Sequence, residues 1–241
     1  MKILKIGVFD SGIGGLTVLN KLIEKYPNNE YIYYGDTKNI PYGDKSIEQL
    51  KELSSNIINF LMKNKVDLIV IACGTVSSNL SNYLKQKYNI EIIDIISPVI
   101  NYLNNCSYKN IGVIATQSTI NSNIFNNLNK DIKQVACPKL VPFIENNNIN
   151  ELKKTFDEYL IDLYDRDLIV LGCTHYPIIK DYINEYFNNK IDLLDMSECI
   201  DNIENNGNKK IDLYFSKLDY NIINNVKSIV KEDINSINLI K

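Results

Sequence analysis

The sequence lacks the features that mark metal-binding, disulfide-linked and membrane proteins. It has one histidine, five cysteines without a CxxC pair, and no apolar run of the roughly 18–20 residues that a membrane helix needs. One histidine and unpaired cysteine spacing argue against zinc, so we expect no metal site. An odd number of cysteines argues against a disulfide framework and for a reducing compartment. We therefore expect a cytoplasmic protein with no membrane partner.

The chain also lacks a surplus of one charge. It carries 26 lysines and arginines against 29 acidic residues, a formal net charge of −3, and the lysines are scattered rather than clustered. This balance gives no electrostatic reason to expect nucleic acid as a partner. Residues 1–10 are too short and too soon interrupted by charge to form a signal peptide, and we interpret them as a first strand.

Hydrophobic residues make up 45% of the chain, and short apolar runs alternate with stretches of helical length. That alternation is typical of an α/β protein with mainly parallel sheets. Ser97-Pro98 indicates a boundary between elements. The predicted strands cover residues 3–9, 30–34, 67–72, 91–96 and 211–215, and the predicted helices cover about 16–26, 46–64, 76–88 and 220–230.

Two segments recur along the chain. The strand at Ile6 is echoed at Ile111, an offset of 105 residues, and the segment ending in Cys73 is echoed by the one ending in Cys173, an offset of 100. Matched order and spacing indicate an internal duplication. We predict two similar α/β lobes related by a pseudo-two-fold axis, with the active site in the cleft between them. Residues 1–95 and 206–241 would form the first lobe, and 96–205 the second.

Cys73 and Cys173 each follow a buried predicted strand and precede a predicted helix. Ligands bind at the carboxyl ends of parallel strands, and a helix N-terminus lowers the pKa of a thiol. A single cysteine at such a place is usually a small core hydrophobe. Two at matched positions would face each other across the cleft, one removing an α-proton and the other returning a proton to the opposite face. That is the arrangement of a two-base racemase.

Other candidate residues lie beside these cysteines. Asp10 and Ser11 end the first strand at the same sheet edge, so a carboxylate is expected near Cys73. His175 is two residues from Cys173, and a histidine beside a candidate base at a strand end is more often functional than a lone histidine elsewhere. Glu145 is either part of this site or a solvated loop charge. The remaining cysteines are expected to be structural: Cys106, Cys137 and Cys199.

Several segments, in order along nearly the whole chain, resemble the signature segments of bacterial glutamate racemases. The set is far more specific than any one member. The matching segments are Asp10-Ser11-Gly12-Ile13-Gly14-Gly15, Tyr34-Gly35-Asp36, Pro41-Tyr42-Gly43, Cys137-Pro138 with Glu145, Leu171-Gly172-Cys173-Thr174-His175-Tyr176-Pro177, Leu193-Leu194-Asp195 and Tyr214-Phe215-Ser216.

The resemblance implies interconversion of L- and D-glutamate without pyridoxal phosphate, metal or other cofactor, supplying D-glutamate for peptidoglycan. It implies that Cys73 acts on the D-enantiomer with help from Asp10, and Cys173 on the L-enantiomer with help from His175 and Glu145. A homodimer is left open. The implied substrate contacts are Asp10, Ser11, Tyr42, Gly43, Gly74, Thr75, Thr116, Thr119, Thr174 and His175.

Gly74 departs from the family pattern, which has Cys-Asn-Thr where this chain has Cys73-Gly74-Thr75. A lost hydrogen bond to a charged group weakens binding by about 1.5–3 kcal/mol. We therefore expect Gly74→Asn to tighten glutamate binding or alter the preference between amino acids. The alternative is that Gly74 adopts a positive φ, in which case the substitution would affect stability alone.

Three other readings remain open. A racemase of aspartate or another amino acid is compatible with Gly74. A dinucleotide-binding domain is suggested by Gly12 and Gly14 after a strand, with Asp36 22 residues beyond Gly14, but Thr17 replaces the third glycine. A redox sensor would instead link Cys73 and Cys173 in a disulfide.

Overall fold

The computed structural model describes residues 3–240, so Met1 and Lys2 of the predicted first strand lie outside the described residues. Over that range the strands form two parallel sheets. The strands are β1 Lys5–Asp10, β2 Glu30–Gly35, β3 Leu68–Ile71, β4 Glu91–Asp94, β5 Asn110–Ala115, β6 Asp131–Ala136, β7 Leu168–Leu171, β8 Asp192–Asp195, β9 Lys210–Phe215 and β10 Ser236–Leu239. The first sheet has the order β10-β9-β2-β1-β3-β4 and the second the order β6-β5-β7-β8.

The helices connect these strands, and none in residues 3–240 is long and apolar enough to cross a membrane. Three further segments are 3₁₀ turns: Ile161–Leu163, Tyr176–Ile179 and Met196–Cys199. The α-helices are α1 Gly15–Lys25, α2 Ile47–Lys63, α3 Gly74–Lys87, α4 Ile96–Asn105, α5 Gln117–Asn121, α6 Leu140–Glu145, α7 Ile149–Lys154, α8 Phe156–Leu160, α9 Lys180–Tyr186 and α10 Tyr220–Ile229.

The predicted duplication is visible in the sheets. Strands β2-β1-β3-β4 of the first sheet and β6-β5-β7-β8 of the second have the same relative order. Ile6 pairs with Leu68 in one, and Ile111 pairs with Leu168 in the other. The fold prediction of two similar α/β lobes is therefore confirmed.

The two lobes share a hydrophobic core. Because successive side chains of a strand point to opposite faces, alternate residues of β1 and β5 face this shared core, among them Val8 and Val113. Their neighbours Phe9 and Ile114 face separate cores on the outer sides of the two sheets. The sheets are thereby packed with their carboxyl ends at one cleft.

The C-terminal strands extend the first sheet. β9 pairs with β2 in register Glu30 to Lys210, and β10 pairs with β9. The predicted strand 211–215 and helix 220–230 match β9 and α10 to within one residue at each end. The lobe boundaries at residues 95 and 205 stay predictions.

Two segments differ locally from the patterns read in the sequence. Ser97-Pro98 follows the junction of β4 and α4 and lies in the first turn of α4, where proline loses no helix hydrogen bond. The Asp94 carboxylate accepts hydrogen bonds from the free backbone N–H groups of Ile96 (3.0 Å) and Ser97 (2.7 Å) in that turn. After Cys173 the chain forms the 3₁₀ turn Tyr176–Ile179, and the α-helix begins only at Lys180. Cys173 is therefore not at an α-helix N-terminus.

Candidate active site

A cavity of about 60 Å³ lies between the carboxyl ends of the two sheets, and both Cys73 and Cys173 line it. The first lobe contributes the ends of β1 and β3 and the loop 40–44. The second contributes the ends of β5 and β7 and the segment around α6. The lining residues are Ser11, Ile40, Pro41, Tyr42, Gly43, Asp44, Cys73, Gly74, Thr75, Thr116, Gln117, Cys137, Pro138, Val141, Pro142, Cys173, Thr174 and His175.

Cys73 follows β3 and is the N-cap residue of α3. Its thiol donates to the hydroxyl of Ser11, with Sγ and Oγ 3.7 Å apart. Burial raises the pKa of Cys73, the nearby Asp10 carboxylate raises it further, and the backbone N–H of Val76 lowers it only in part. The expected lowering of the pKa by the helix N-terminus is therefore wrong for Cys73, and the thiol is protonated at neutral pH.

Asp10 ends β1 and is fully buried. Its Oδ2 accepts hydrogen bonds from the backbone N–H groups of Gly15 (2.8 Å) and Gly12 (3.3 Å). Burial raises the pKa of this carboxyl, and the charge of His175 and these N–H donors lower it only in part. The Thr174 hydroxyl lies 3.5 Å from Oδ1, so Asp10 lies directly behind the lining of the cavity.

Cys173 follows β7, and its Sγ lies 3.8 Å from Nδ1 of His175. The other ring nitrogen, Nε2, lies 2.6 Å from Oε1 of Glu145. Burial lowers the pKa of His175, but the hydrogen bonds and charges of Cys173 and Glu145 outweigh it and hold the pKa well above its ordinary value. Glu145 is therefore not a solvated loop charge, because its side chain is only 19% exposed and is bonded to the buried His175.

The glycine-rich turn after β1 packs directly against the second lobe. A Cβ at Gly14 would lie 2.5 Å from Nδ1 of His175, and a Cβ at Gly12 would lie 2.8 Å from Oε1 of Glu145. These glycines therefore allow close approach of the lobes. The place where a dinucleotide's pyrophosphate would approach this turn is occupied by the side chains of His175 and Thr174.

Gly74 makes the same kind of close approach at the start of α3. A Cβ at this position would lie 2.7 Å from the carbonyl oxygen of Gly172 in the other lobe. The alternative of a positive φ at Gly74 is wrong, because among the glycines of residues 3–240 only Gly207 has one. An asparagine here would push the two strand ends apart, which argues against the expected tighter binding.

Three threonines join the lobes at the edge of the cavity. The hydroxyls of Thr75 and Thr116 are 3.0 Å apart, and Thr116 donates to Thr119 at 3.0 Å. Thr119 is fully buried and lies behind Thr116 rather than in the lining. Gly43 also contacts this cluster, since a Cβ there would lie 3.3 Å from Cβ of Thr116.

The structure thus brings the sequence-predicted site residues together around one cavity. Eight of the ten implied substrate contacts line it, while Asp10 and Thr119 lie behind it and Glu145 acts through His175. The sequence analysis missed Cys137, which lines the cavity and was expected to be only structural. Its place in the Cys137-Pro138…Glu145 segment was the available signal. Within residues 3–240 no cluster of three or more His, Cys, Asp or Glu side chains could hold a metal ion.

Known racemases are similar to this chain over most of its length. Residues 6–200 match the family model for Asp/Glu/Hydantoin racemases. A glutamate racemase of Caldanaerobacter subterraneus subsp. tengcongensis is 37% identical to the chain over 99% of this chain and 95% of its own.

Two solved structures share the fold over nearly the full length. A glutamate racemase isoform of Bacillus anthracis has a TM-score of 0.90, 26% identity, and coverage of 100% of this chain and 98% of its own. A glutamate racemase of Francisella tularensis subsp. tularensis in complex with D-glutamate has a TM-score of 0.85, 28% identity, and coverage of 99% and 97%. With two matched thiols on one interlobe cavity, the chain belongs to the Asp/Glu/Hydantoin racemase family and resembles its glutamate racemases.

Proposed function

We propose that this chain interconverts L-glutamate and D-glutamate with two cysteine bases and thereby supplies D-glutamate for peptidoglycan synthesis. The observation that carries the proposal is that Cys73 and Cys173, at equivalent positions of a duplicated fold, line the same cavity. The names of the relatives and the D-glutamate in the Francisella structure support glutamate as the substrate.

In the L-to-D direction Cys173 is the base. The pKa of His175 is held well above its ordinary value despite burial, and its Nδ1 lies 3.8 Å from the sulfur of Cys173, so a protonated ring is placed to stabilise the thiolate that attacks the α-proton. That thiolate takes the α-proton of L-glutamate. Cys73, whose thiol keeps its proton because burial raises its pKa, delivers a proton to the opposite face. In the D-to-L direction the roles reverse, and Asp10 assists Cys73.

The groups around the two sulfurs bind the amino acid. The backbone N–H groups of Gly74 and Thr75 open α3, and a helix N-terminus favours a carboxylate. The hydroxyls of Ser11, Thr75, Thr116 and Thr174 line the cavity from both lobes and surround the two carboxylates of glutamate. The buried Asp10 carboxylate balances the substrate's ammonium group through this same wall.

The other readings have less support. A dinucleotide has no access to the glycine turn, because His175 contacts it. A redox role is compatible with the free thiols of Cys73 and Cys173 but does not explain the His175–Glu145 pair. The cytoplasmic location stays a prediction, and so does assembly into a homodimer.

The test is a panel of L- and D-amino acids followed by circular dichroism. We expect both glutamate enantiomers to lose optical activity and to reach the same equal mixture, with aspartate and neutral amino acids unchanged. Loss of signal with aspartate alone would assign the chain to another racemase. If no amino acid loses its optical activity, and two titratable thiols disappear when an oxidant is added, the result would favour the redox sensor.

A further inference from the structure

Asp36, directly after β2, is a buried carboxylate that the proposed chemistry does not use. Among residues 3–240 no lysine, arginine or histidine forms an ion pair with it. Its two oxygens instead accept hydrogen bonds from neutral donors: the hydroxyls of Tyr42 and Ser216, both at 2.6 Å, and Nδ2 of Asn39 at 2.9 Å. A buried carboxylate is stable only when hydrogen bonds replace its lost hydration, so these donors are held firmly in place.

Three signature segments of the sequence meet at this carboxylate. Asp36 ends the first, Tyr42 is the centre of the second and Ser216 ends the third, 180 residues along the chain from Asp36. A backbone hydrogen bond also holds Asp36 in place, because its N–H donates to the carbonyl of Asp10 at 3.0 Å. Asp36 therefore ties the ends of β1, β2 and β9 to the loop 40–44.

That loop is one wall of the cavity. Ile40, Pro41, Tyr42 and Gly43 line it, and Gly43 contacts Thr116 across the interlobe seam. The hydroxyl of Tyr42 donates to Asp36 and so is not available to a substrate. Tyr42 can then act on the substrate only through the position of its ring and of the neighbouring backbone.

We infer that Asp36 is a positioning residue that holds the loop 40–44, through the hydroxyl of Tyr42, in the place where it binds the substrate. The expected change in KM rests on the proposed racemase function, whereas the expected loosening of the loop does not. An asparagine at position 36 keeps the shape of the side chain and replaces one acceptor oxygen by an N–H₂ donor. In either orientation of the amide its N–H₂ group would face Nδ2 of Asn39, which now donates to both oxygens, and the hydrogen bonds that hold Tyr42 and Ser216 would weaken, so the loop would loosen.

The test compares Asp36→Asn with the wild-type chain in two assays. The first is racemisation of each glutamate enantiomer, in which we expect KM to rise about tenfold for both and kcat to stay within about twofold, the size expected for one charge-assisted hydrogen bond. The second uses no substrate. The rate of alkylation of Cys73 and Cys173 by iodoacetamide, followed by mass spectrometry, should rise because the loosened loop exposes the cavity.

The control is Asp212→Asn. Asp212 lies on β9 and also accepts short hydrogen bonds, from Asn235 and Ser236 at 2.6 Å, but unlike Asp36 it forms an ion pair, with Lys210 at 3.0 Å, and it lies three residues before the end of β9 that adjoins the loop. This variant should lower the melting temperature without changing KM or the alkylation rate. Tyr42→Phe should raise KM as Asp36→Asn does, and the double variant should be little worse than either single one.

The outcomes separate this inference from the proposed function. If wild type does not racemise glutamate but Asp36→Asn still speeds alkylation, the function is wrong and the positioning role stands. Unchanged KM and unchanged alkylation in Asp36→Asn would overturn the positioning role, and so would multiplicative effects in the double variant. Should Asp36→Asn fail to fold, Ser216→Ala removes one donor from Asp36 and must show a smaller change in the same direction.

Discussion

Nε2 of His175 lies 2.6 Å from Oε1 of Glu145, while Nδ1 of the same ring faces the sulfur of Cys173. The hydrogen bond to Glu145 fixes the orientation of the ring, so that Nδ1 faces the thiol, and it favours the positively charged form of the ring beside that thiol. Because the pKa of His175 is raised overall, its protonated form stabilises the fold below the unfolded pKa of about 6.5. That stabilisation is lost as the pH rises through the folded pKa.

Glu145→Gln should therefore shift the alkaline limb of the L-glutamate pH profile. Removing the carboxylate lowers the pKa of His175, so the imidazolium is lost at a lower pH and kcat/KM for L-glutamate falls there first. The profile for D-glutamate, which begins at Cys73, should move less. Glu158→Gln, which breaks only the exposed pair with Lys139, is the control and should leave both profiles in place. Identical profiles for Glu145→Gln and wild type would contradict the role of the pair.

Cys73→Ser and Cys173→Ser should each reduce racemisation by at least about 10²–10⁴-fold, because a hydroxyl is a poor base for a carbon acid. In deuterated water Cys73→Ser should still exchange the α-proton of L-glutamate, and Cys173→Ser that of D-glutamate. NMR of the recovered substrate measures both. Cys106→Ser, outside the cavity, should behave as wild type. Full racemisation by either active-site variant would rule out the two-base assignment.

Gly74→Asn should weaken glutamate binding, contrary to the expectation from the sequence. Its Cβ would lie 2.7 Å from the carbonyl oxygen of Gly172, and relieving such a clash costs about 1–3 kcal/mol. We expect KM to rise and the melting temperature to fall. In the control Gly7→Ala, the new Cβ meets only side-chain atoms of Leu61 and Val66 in the first lobe, so stability alone should drop. A lower KM in Gly74→Asn would restore the original expectation.

Asp10→Asn should slow racemisation while raising stability. Burial raises the pKa of Asp10, so holding this carboxylate ionised at neutral pH costs stability. An asparagine oxygen can still accept from Gly15 and Gly12. The melting temperature of Asp10→Asn relative to wild type should therefore increase from pH 4 to pH 7. A lower melting temperature at pH 7 would show that the ionised carboxylate stabilises the fold.

Asp94→Asn should destabilise the fold by about 1.5–3 kcal/mol at neutral pH. Burial alone would raise the pKa of Asp94, but the hydrogen bonds from Lys85, Ser81 and Ser97 outweigh it and lower the pKa. The stabilisation is therefore present above the unfolded pKa of about 3.9 and is lost as the pH falls through the folded value.

Asp195 ends the equivalent strand β8, and its carboxylate accepts a hydrogen bond from the backbone N–H of Ser197 at 2.9 Å. Asp195→Asn is the matched control in urea unfolding and should cost less.

The sequence predicted the parts of the fold that repeat. Two copies of one strand pattern are visible in a single chain, so the matched positions of Cys73 and Cys173 could be predicted without a structure. Three strands that it missed, β6, β8 and β10, lie at sheet edges and carry weaker signals. β6 mixes polar and apolar residues along a half-buried sheet edge, and β10 is a partly exposed edge strand. Edge strands need fewer apolar residues and so lack a clear pattern.

The rest of the site depends on contacts between residues far apart in the chain. Nothing local to Gly74 indicates that the carbonyl of Gly172 lies against it, and nothing local to Asp36 indicates Ser216. The pKa of Cys73 was misjudged for a similar reason. A helix N-terminus is visible in a sequence, whereas the depth of burial that outweighs it is set only when both lobes are packed.

The addition of β9 to the edge of β2 bears on the order in which the protein matures during synthesis. All four strands of the second sheet leave the ribosome before Lys210, the first residue of β9. The second lobe can thus complete its sheet while the first still has an open edge. Ser216, which donates to Asp36, emerges later still. A nascent chain therefore contains both thiols before Ser216, the distant donor to Asp36, has been synthesised.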